Sequence, residues 1–310
     1  MIVFLNPASC GGQGEALWRK IEPSLRERGI TAKTLTPKTA ANIQESIEAE
    51  YARGEREFVA AGGDGSVNAI LNGLLTALPA PERKNVALGA IGLGSSNDFH
   101  KPFSEARTIN GVPVKINFSL AALRDVGILE FEDNGKIVTR YFLVNASVGL
   151  TADANRFFNS PDTLLSLLKR TYTPSAIMYA ALLTILRFSN RPFDIRTETA
   201  FRTGVALTNL NILKSPHVSG TLTYPLPPAY DTGRLDCFVA SSMGIGERLR
   251  LLRSLSRGKV PVTTKLETLH CSNLTATSGS PFAVEFDGEI AMTPEARFSV
   301  LQQHLRVCTC

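Results

Sequence analysis

The first 125 residues alternate short apolar runs with amphipathic stretches, and this alternation limits the fold more than any other property of the chain. Ile2 to Leu5, Thr31 to Leu35, Phe58 to Ala61 and Val86 to Ile91 read as buried strands. Between them Glu15 to Arg28, Thr39 to Arg53 and Ser66 to Leu78 read as helices. The first carries Leu17, Trp18, Ile21 and Leu25 on one face and stops at Gly29. Strand and helix in turn require a parallel sheet covered on both faces, a Rossmann-like α/β layout whose ligands bind at the carboxyl ends of the strands.

After Asp125 the texture changes to strands. Val126 to Phe131 and Ile137 to Asn145 flank Asp133-Asn134-Gly135, and Asn-Gly between alternating runs is a strong hairpin signal. Phe193 to Thr197, Gly204 to Asn211, Leu235 to Ala240, Leu266 to Thr277 and Arg297 to Arg306 continue the pattern. With 310 residues the chain exceeds one ordinary domain. The expectation is an α/β domain over 1–125, with 295–310 a candidate to complete it, and a mainly antiparallel β-sandwich over 126–294. Two helical insertions interrupt the second domain: Asp162 to Phe188, apolar and edged by Lys169, Arg170 and Arg187, and Gly246 to Arg257, with Arg248, Arg250, Arg253 and Arg257 among its leucines.

A net charge of +5 suits nucleotide, nucleic acid or an acidic membrane surface without choosing among them. Met1 to Pro7 lacks the basic start of a signal peptide, so a cytoplasmic protein is expected. Cys10, Cys237, Cys271, Cys308 and Cys310 have no zinc-site spacing and read as reduced thiols, while His100, His217, His270 and His304 form no triad or ligand pattern.

The strongest chemical signal is Ala60-Ala61-Gly62-Gly63-Asp64-Gly65-Ser66-Val67-Asn68, a glycine-rich turn from strand into helix. Glycines let the backbone come close, so that amide N–H groups beside a helix N-terminus can face a phosphate. Asp64 would repel that phosphate unless a cation lay between, and the combination argues for a magnesium nucleotide. The purely structural alternative is a tight turn with Asp64 as helix cap. Ile91-Gly92-Leu93-Gly94-Ser95-Ser96-Asn97-Asp98-Phe99 repeats the design after the next strand, and Asn6-Pro7-Ala8-Ser9-Cys10-Gly11-Gly12-Gln13-Gly14 follows the first. Neither a dinucleotide G-x-G-x-x-G nor a Walker loop fits the spacing.

These three segments, with Asp125, the run from Asn145 to Asp153 and Asp287-Gly288-Glu289, occur in the order of the diacylglycerol kinase catalytic family, which the chain resembles over nearly its whole length. The resemblance implies the fold shared by NAD kinases and diacylglycerol kinases, and an ATP- and Mg²⁺-dependent lipid kinase acting on a hydroxyl such as that of diacylglycerol or a sphingoid base. It implies nucleotide contacts from Asn6, Pro7, Ala8, Ser9, Cys10, Thr36, Gly62, Gly63, Asp64, Gly65, Ser66, Val67, Asn68, Gly94, Ser95 and Asn97. It groups Asp64, Asp98 and Asp125 around the metal, and makes Glu289 the general base with Asp64 as the other candidate. Thr232 stands where bacterial relatives commonly carry an aspartate of a structural metal site, so the resemblance lends that metal no support here.

Two other readings stay open. NAD kinases, which phosphorylate a soluble substrate, share the Gly-Gly-Asp-Gly turn, and a catalytically silent lipid-binding protein would keep the fold. The expected partners are a lipid substrate and, transiently, an anionic membrane surface at the basic helices, with no nucleic acid and a homodimer left open.

Overall fold

In the computed structural model, which describes residues 1–171, 173–228 and 230–309 without the side chains of residues 170, 171 and 174, four short strands near the N-terminus run in parallel. They are β1 (Ile2–Leu5), β2 (Lys33–Leu35), β3 (Glu57–Gly62) and β4 (Ala87–Gly92). Their order is β4-β3-β1-β2. The chain divides into two units, Met1–Asp125 with Gln302–Cys310, and Val126–Leu301. Among the described residues no helix is long and apolar enough to cross a membrane.

In the first unit β1 leads through a single distorted turn, α1 (Ser9–Gly12), into α2 (Gly14–Glu27). The helices α3 (Ala40–Ala52) and α4 (Asp64–Ala77) follow β2 and β3. Every residue of β4 and all but the first of β3 are buried, as in a parallel sheet covered on both faces. Trp18, Ile21 and Leu25 of α2 close over Val3, Leu5, Val59, Ala61 and Ile91, each large side chain contributing about 1.5–3 kcal/mol by its burial. On α4 the absent side chain of Gly73 admits α3, since a Cβ there would lie 2.7 Å from Ile43 Cγ2.

The outer side of β4 takes two partners at different heights. The hairpin of β5 (Thr108–Ile109) and β6 (Val112–Lys115) lays Val114 and Lys115 antiparallel against Ile91 and Ala90. Arg306 and Val307, from the end of the chain, pair in parallel with Ala87 and Leu88.

The chain passes into the second unit along β7 (Ala122–Asp133) and continues with β8 (Lys136–Phe142) and β9 (Asn145–Gly149). The β7-β8 turn has φ 52° at Asn134 and 76° at Gly135, the conformation expected of Asn-Gly. Three helices follow, α5 (Leu150–Phe158), α6 (Thr163–Thr171) and α7 (Thr173–Arg187). Then come β10 (Arg191–Thr197), β11 (Phe201–Leu213), the short pair β12 (His217–Val218) and β13 (Leu222–Thr223), β14 (Leu235–Ser241), α8 (Ile245–Leu255), β15 (Leu266–Cys271), β16 (Asn273–Phe286) and β17 (Glu289–Val307).

The expected sandwich is, in hydrogen-bonding terms, one continuous antiparallel sheet. β9 and β10 lie end to end in one lane between β11 and β16: Gly149 pairs with Asn209, and Arg191 takes up the lane at Leu207. Leu129, Phe131 and Phe142 from β7 and β8 meet Leu235, Cys237 and Val239 of β14 in the same core, although these strands stand toward opposite ends of the strand order. The sheet therefore coils until its ends share apolar contacts.

The basic helix edges differ from the expectation. Arg248 is buried and donates to the carbonyls of Ile185 (3.3 Å) and Phe188 (2.7 Å), so it satisfies the end of α7 instead of facing solvent. Lys169 donates to the carbonyl of Phe158. Arg187, Arg250, Arg253 and Arg257 are exposed, and the Arg170 side chain lies outside the described residues.

Candidate active site

The ends of β1, β3 and β4 lie side by side, with Leu5 paired to Ala61 and Gly62 to Gly92, so the three glycine-rich segments emerge at one edge of the sheet. Short hydrogen bonds tie them together. Asn6 Nδ2 donates to Ser66 Oγ (3.0 Å), and the Leu93 N–H donates to the Gly62 carbonyl (2.8 Å). Gly62 leaves room for this junction, because a Cβ there would lie 2.1 Å from Ser66 Oγ. Gly63 caps α4 through its backbone, and Asp64 begins the helix.

Asp64 is therefore not the helix cap. Its Oδ2 accepts from the Asp98 N–H (3.0 Å) and its Oδ1 from the Phe99 N–H (2.9 Å), which fastens the segment after β3 to the one after β4. Within that last segment Asn97, buried and with φ 49°, accepts from Gly94 N (3.0 Å) and donates to the carbonyls of Gly92 (3.2 Å) and Gly94 (2.9 Å). Its amide staples the loop, which leaves it little capacity for a ligand. Val67 and Asn68 are also buried, while Asn6, Pro7, Ala8, Thr36 and Ser95 are exposed and Ser9, Cys10, Gly63, Gly65, Ser66 and Gly94 half-buried. Thr36 follows β2 directly.

The acidic residues are each engaged within the protein. Asp98 is buried against Lys101 Nζ (2.5 Å), and Asp125, also buried, accepts from the Gln303 N–H (3.0 Å), which ties the end of the chain into this unit. Among the described residues no group of three or more His, Cys, Asp or Glu side chains is placed to hold a metal ion. A caged resident ion does not fit these residues, whereas a hydrated magnesium carried on phosphates needs only one or two carboxylates. Beside them His100 is buried with neither ring nitrogen hydrogen-bonded, and burial, with the Lys115 charge, lowers its pKa to about 3.

In the second unit the Asp-Gly-Glu motif forms the turn between β16 and β17, with Phe286 paired to Glu289 and φ of 46° at Asp287 and 92° at Gly288. Glu289 is exposed, yet the atoms packed around it raise its carboxyl above the ordinary glutamate range, against the pull of Arg140. Asp287 is buried and accepts from three successive backbone N–H groups: Leu143 (2.8 Å), Val144 (2.9 Å) and Asn145 (3.0 Å). Glu285, buried as well, accepts from Asn145 Nδ2 (3.0 Å), Ser147 Oγ (2.7 Å) and Gly288 N (2.8 Å). Sequence reasoning singled out the motif and the run from Asn145 to Asp153, which holds Ser147, but missed Glu285; a glutamate inside the apolar run Phe282 to Phe286 was the available signal.

Residues 1–126 match the family model of the diacylglycerol kinase catalytic domain. The diacylglycerol kinase of Staphylococcus saprophyticus is 21% identical over 314 residues, covering 99% of this chain and 94% of its own. The crystal structure of a diacylglycerol kinase from Bacillus anthracis superposes with a TM-score of 0.65 at 19% identity, covering 99% of this chain and 95% of that one. Yeast NADH kinase in complex with NADH gives 0.50 at 12% identity, covering 99% and 81%. At these identities the solved structures speak for the fold.

Proposed function

We propose that this chain, whose residues 1–126 match the family model of the diacylglycerol kinase catalytic domain, is an ATP-dependent lipid kinase acting on the hydroxyl of a lipid such as a diacylglycerol or a sphingoid base. The observation that carries the reading is the interlocked trio of strand ends, held by Asn6–Ser66, Leu93–Gly62 and the Asp64 carboxylate. Phosphoryl transfer needs positioning and charge neutralisation more than covalent help from the protein. Backbone N–H groups of the loop at the α4 N-terminus supply positive ends for the phosphates.

The lipid oxygen forms the new bond to the γ-phosphorus, the bond from that phosphorus to the ADP oxygen breaks, and Glu289 takes the hydroxyl proton. A carboxyl with a raised pKa is the better base for this step, because its proton affinity lies closer to neutrality. Magnesium, when bound, neutralises the phosphate oxygens. Asp64, Asp98 and Asp125 are the residues that would hydrogen-bond the waters of such an ion.

A membrane-borne acceptor brings in a transient anionic surface. What supports it is a stripe on α7, where Met178, Leu182 and Leu186 are exposed at successive helical turns. On α8 Ile245 and Leu249 are exposed beside Arg250, Arg253 and Arg257. Labelled ATP offered with diacylglycerol, sphingoid base, ceramide and phosphatidylglycerol in mixed micelles, and with NAD as a soluble acceptor, tests the reading. Transfer to a lipid upholds it, transfer to NAD alone moves the chain to the soluble-substrate class, and no turnover with any acceptor favours a silent lipid-binding protein.

A further inference from the structure

We propose that Glu285 is the positioning residue for Glu289, its buried carboxylate holding the turn that presents the base. The inference rests on the reading of Glu289 as the proton acceptor. A two-residue turn with both φ values positive closes a hairpin by itself and needs no further fastening. Here the tip, ordinarily the most mobile part of a hairpin, is tied down by several contacts, among them one from the Asn159 amide, which reaches the Gly288 carbonyl at 3.5 Å. Asp287 gathers the amides of Leu143, Val144 and Asn145, and Glu285 takes the N–H of Gly288, the residue directly before Glu289.

Glu285 lies directly opposite Ser147 on β9 and Ile290 on β17. One oxygen, Oε2, receives the Asn145 amide and the Ser147 hydroxyl, and the other, Oε1, receives Gly288 N. Burying a carboxylate at 2% exposure costs several kcal/mol unless its lone pairs are filled, and a hydrophobic residue at this inward position would hold the sheet without that cost. A charge kept here has a use beyond packing. The chain of contacts from Ser147 through Glu285 to Gly288 fixes the peptide from which the Glu289 side chain projects, and a base must be held to within about 0.5 Å of its working position.

The test is a double-mutant cycle with a structural readout. Glu285→Gln is expected to lower kcat about 10- to 100-fold, the scale of a misplacement near 1 Å, with KM for ATP unchanged. In a Glu289→Gln background the same change is expected to have no further effect, because it acts through the missing base. Hydrogen exchange at the Gly288 amide is expected to accelerate in Glu285→Gln. An equal fold-loss in both backgrounds, or an unchanged Gly288 amide, overturns the proposal and leaves Glu289 as the base. Full turnover in Glu289→Gln alone overturns the base assignment and the proposal with it. If Glu285→Gln does not fold, Ser147→Ala, which removes one donor and no bulk, carries the same cycle with a smaller expected loss.

Discussion

The backbones of Gly63 and Gly94 meet with no room for a side chain between them: a Cβ on Gly94 would lie 2.3 Å from the Gly63 Cα, and one on Gly63 would lie 3.2 Å from the Gly94 Cα. The two glycines belong to different strand ends, so this contact sets the spacing of the loops assigned to the nucleotide. A contact of 3.2 Å can be relieved by a shift of a few tenths of an ångström, whereas 2.3 Å against backbone requires a loop to move.

Gly94→Ala is therefore expected to weaken ATP binding about 5- to 150-fold, the affinity equivalent of the 1–3 kcal/mol that overpacking costs. Gly63→Ala should weaken it less. Gly246→Ala, where an added Cβ meets nothing within 4 Å, serves as the control. Calorimetric titration of each variant with ATP measures the order, and equal affinities for the two loop variants would contradict the geometry.

Glu289→Gln keeps size and most hydrogen bonding but removes the base, so turnover should fall by roughly 10²-fold or more while ATP affinity stays put. The sign of the pH effect follows from the raised carboxyl. The base works deprotonated, so the rate rises as pH climbs through a value above the ordinary glutamate range, and this limb should vanish in the variant. A kcat profile over acid to neutral pH settles both points, and a limb that persists in Glu289→Gln belongs to another group.

His100 predicts acid lability of the first unit. Folded, it resists protonation down to about pH 3, whereas the unfolded chain takes up the proton near 6.5. Its contribution to stability is thus complete above 6.5 and is lost as pH falls below that value, at about 1.4 kcal/mol per pH unit. Between pH 7 and pH 5 the loss should be about 2 kcal/mol in urea unfolding. His100→Leu should show a smaller difference between the two pH values, and an identical difference would assign the lability elsewhere.

The exposed apolar stripe of α7 and the three exposed arginines near the end of α8 predict binding to anionic vesicles that weakens as salt is added. Leu182→Asp with Leu186→Asp should reduce co-sedimentation at every salt concentration, whereas Arg250→Gln with Arg253→Gln should mainly remove the salt dependence. Equal binding to neutral and anionic vesicles would leave the arginines without a role.

What could be read from the sequence was local. The alternation of apolar runs and amphipathic stretches located β1 to β4 and their helices within a few residues, and Asn134-Gly135 announced its own turn. What could not be read depends on partners far along the chain. An aspartate in a glycine turn looks the same whether it faces a cation or, as Asp64 does, two amides more than thirty residues away. Arg248 reads as one of four basic residues on a helix until the open carbonyls at the end of α7 are placed beside it. Nor does any pattern around the end of β16 reveal which distant groups Glu285 and Asp287 accept from, because those donors stand between β8 and β9 and on β9, about 140 residues earlier.

The shared lane of β9 and β10 has an evolutionary corollary. Strand hydrogen bonding stops at Gly149 and resumes at Arg191 in the same direction against β11, so the three intervening helices are an excursion from what is geometrically one interrupted strand. Such a segment is a cassette. Its ends are anchored at neighbouring rungs of the ladder, and another helical segment of similar span could be spliced between them without altering the register of any strand. Because α5 packs on β9, β11 and β16, the replacement would have to bring its own apolar face to the sheet. With the Asn159 contact to Gly288 and the carbonyls that receive Arg248 also kept, a lineage can change the exposed stripe on α7 and leave the hairpin that carries Glu289 intact.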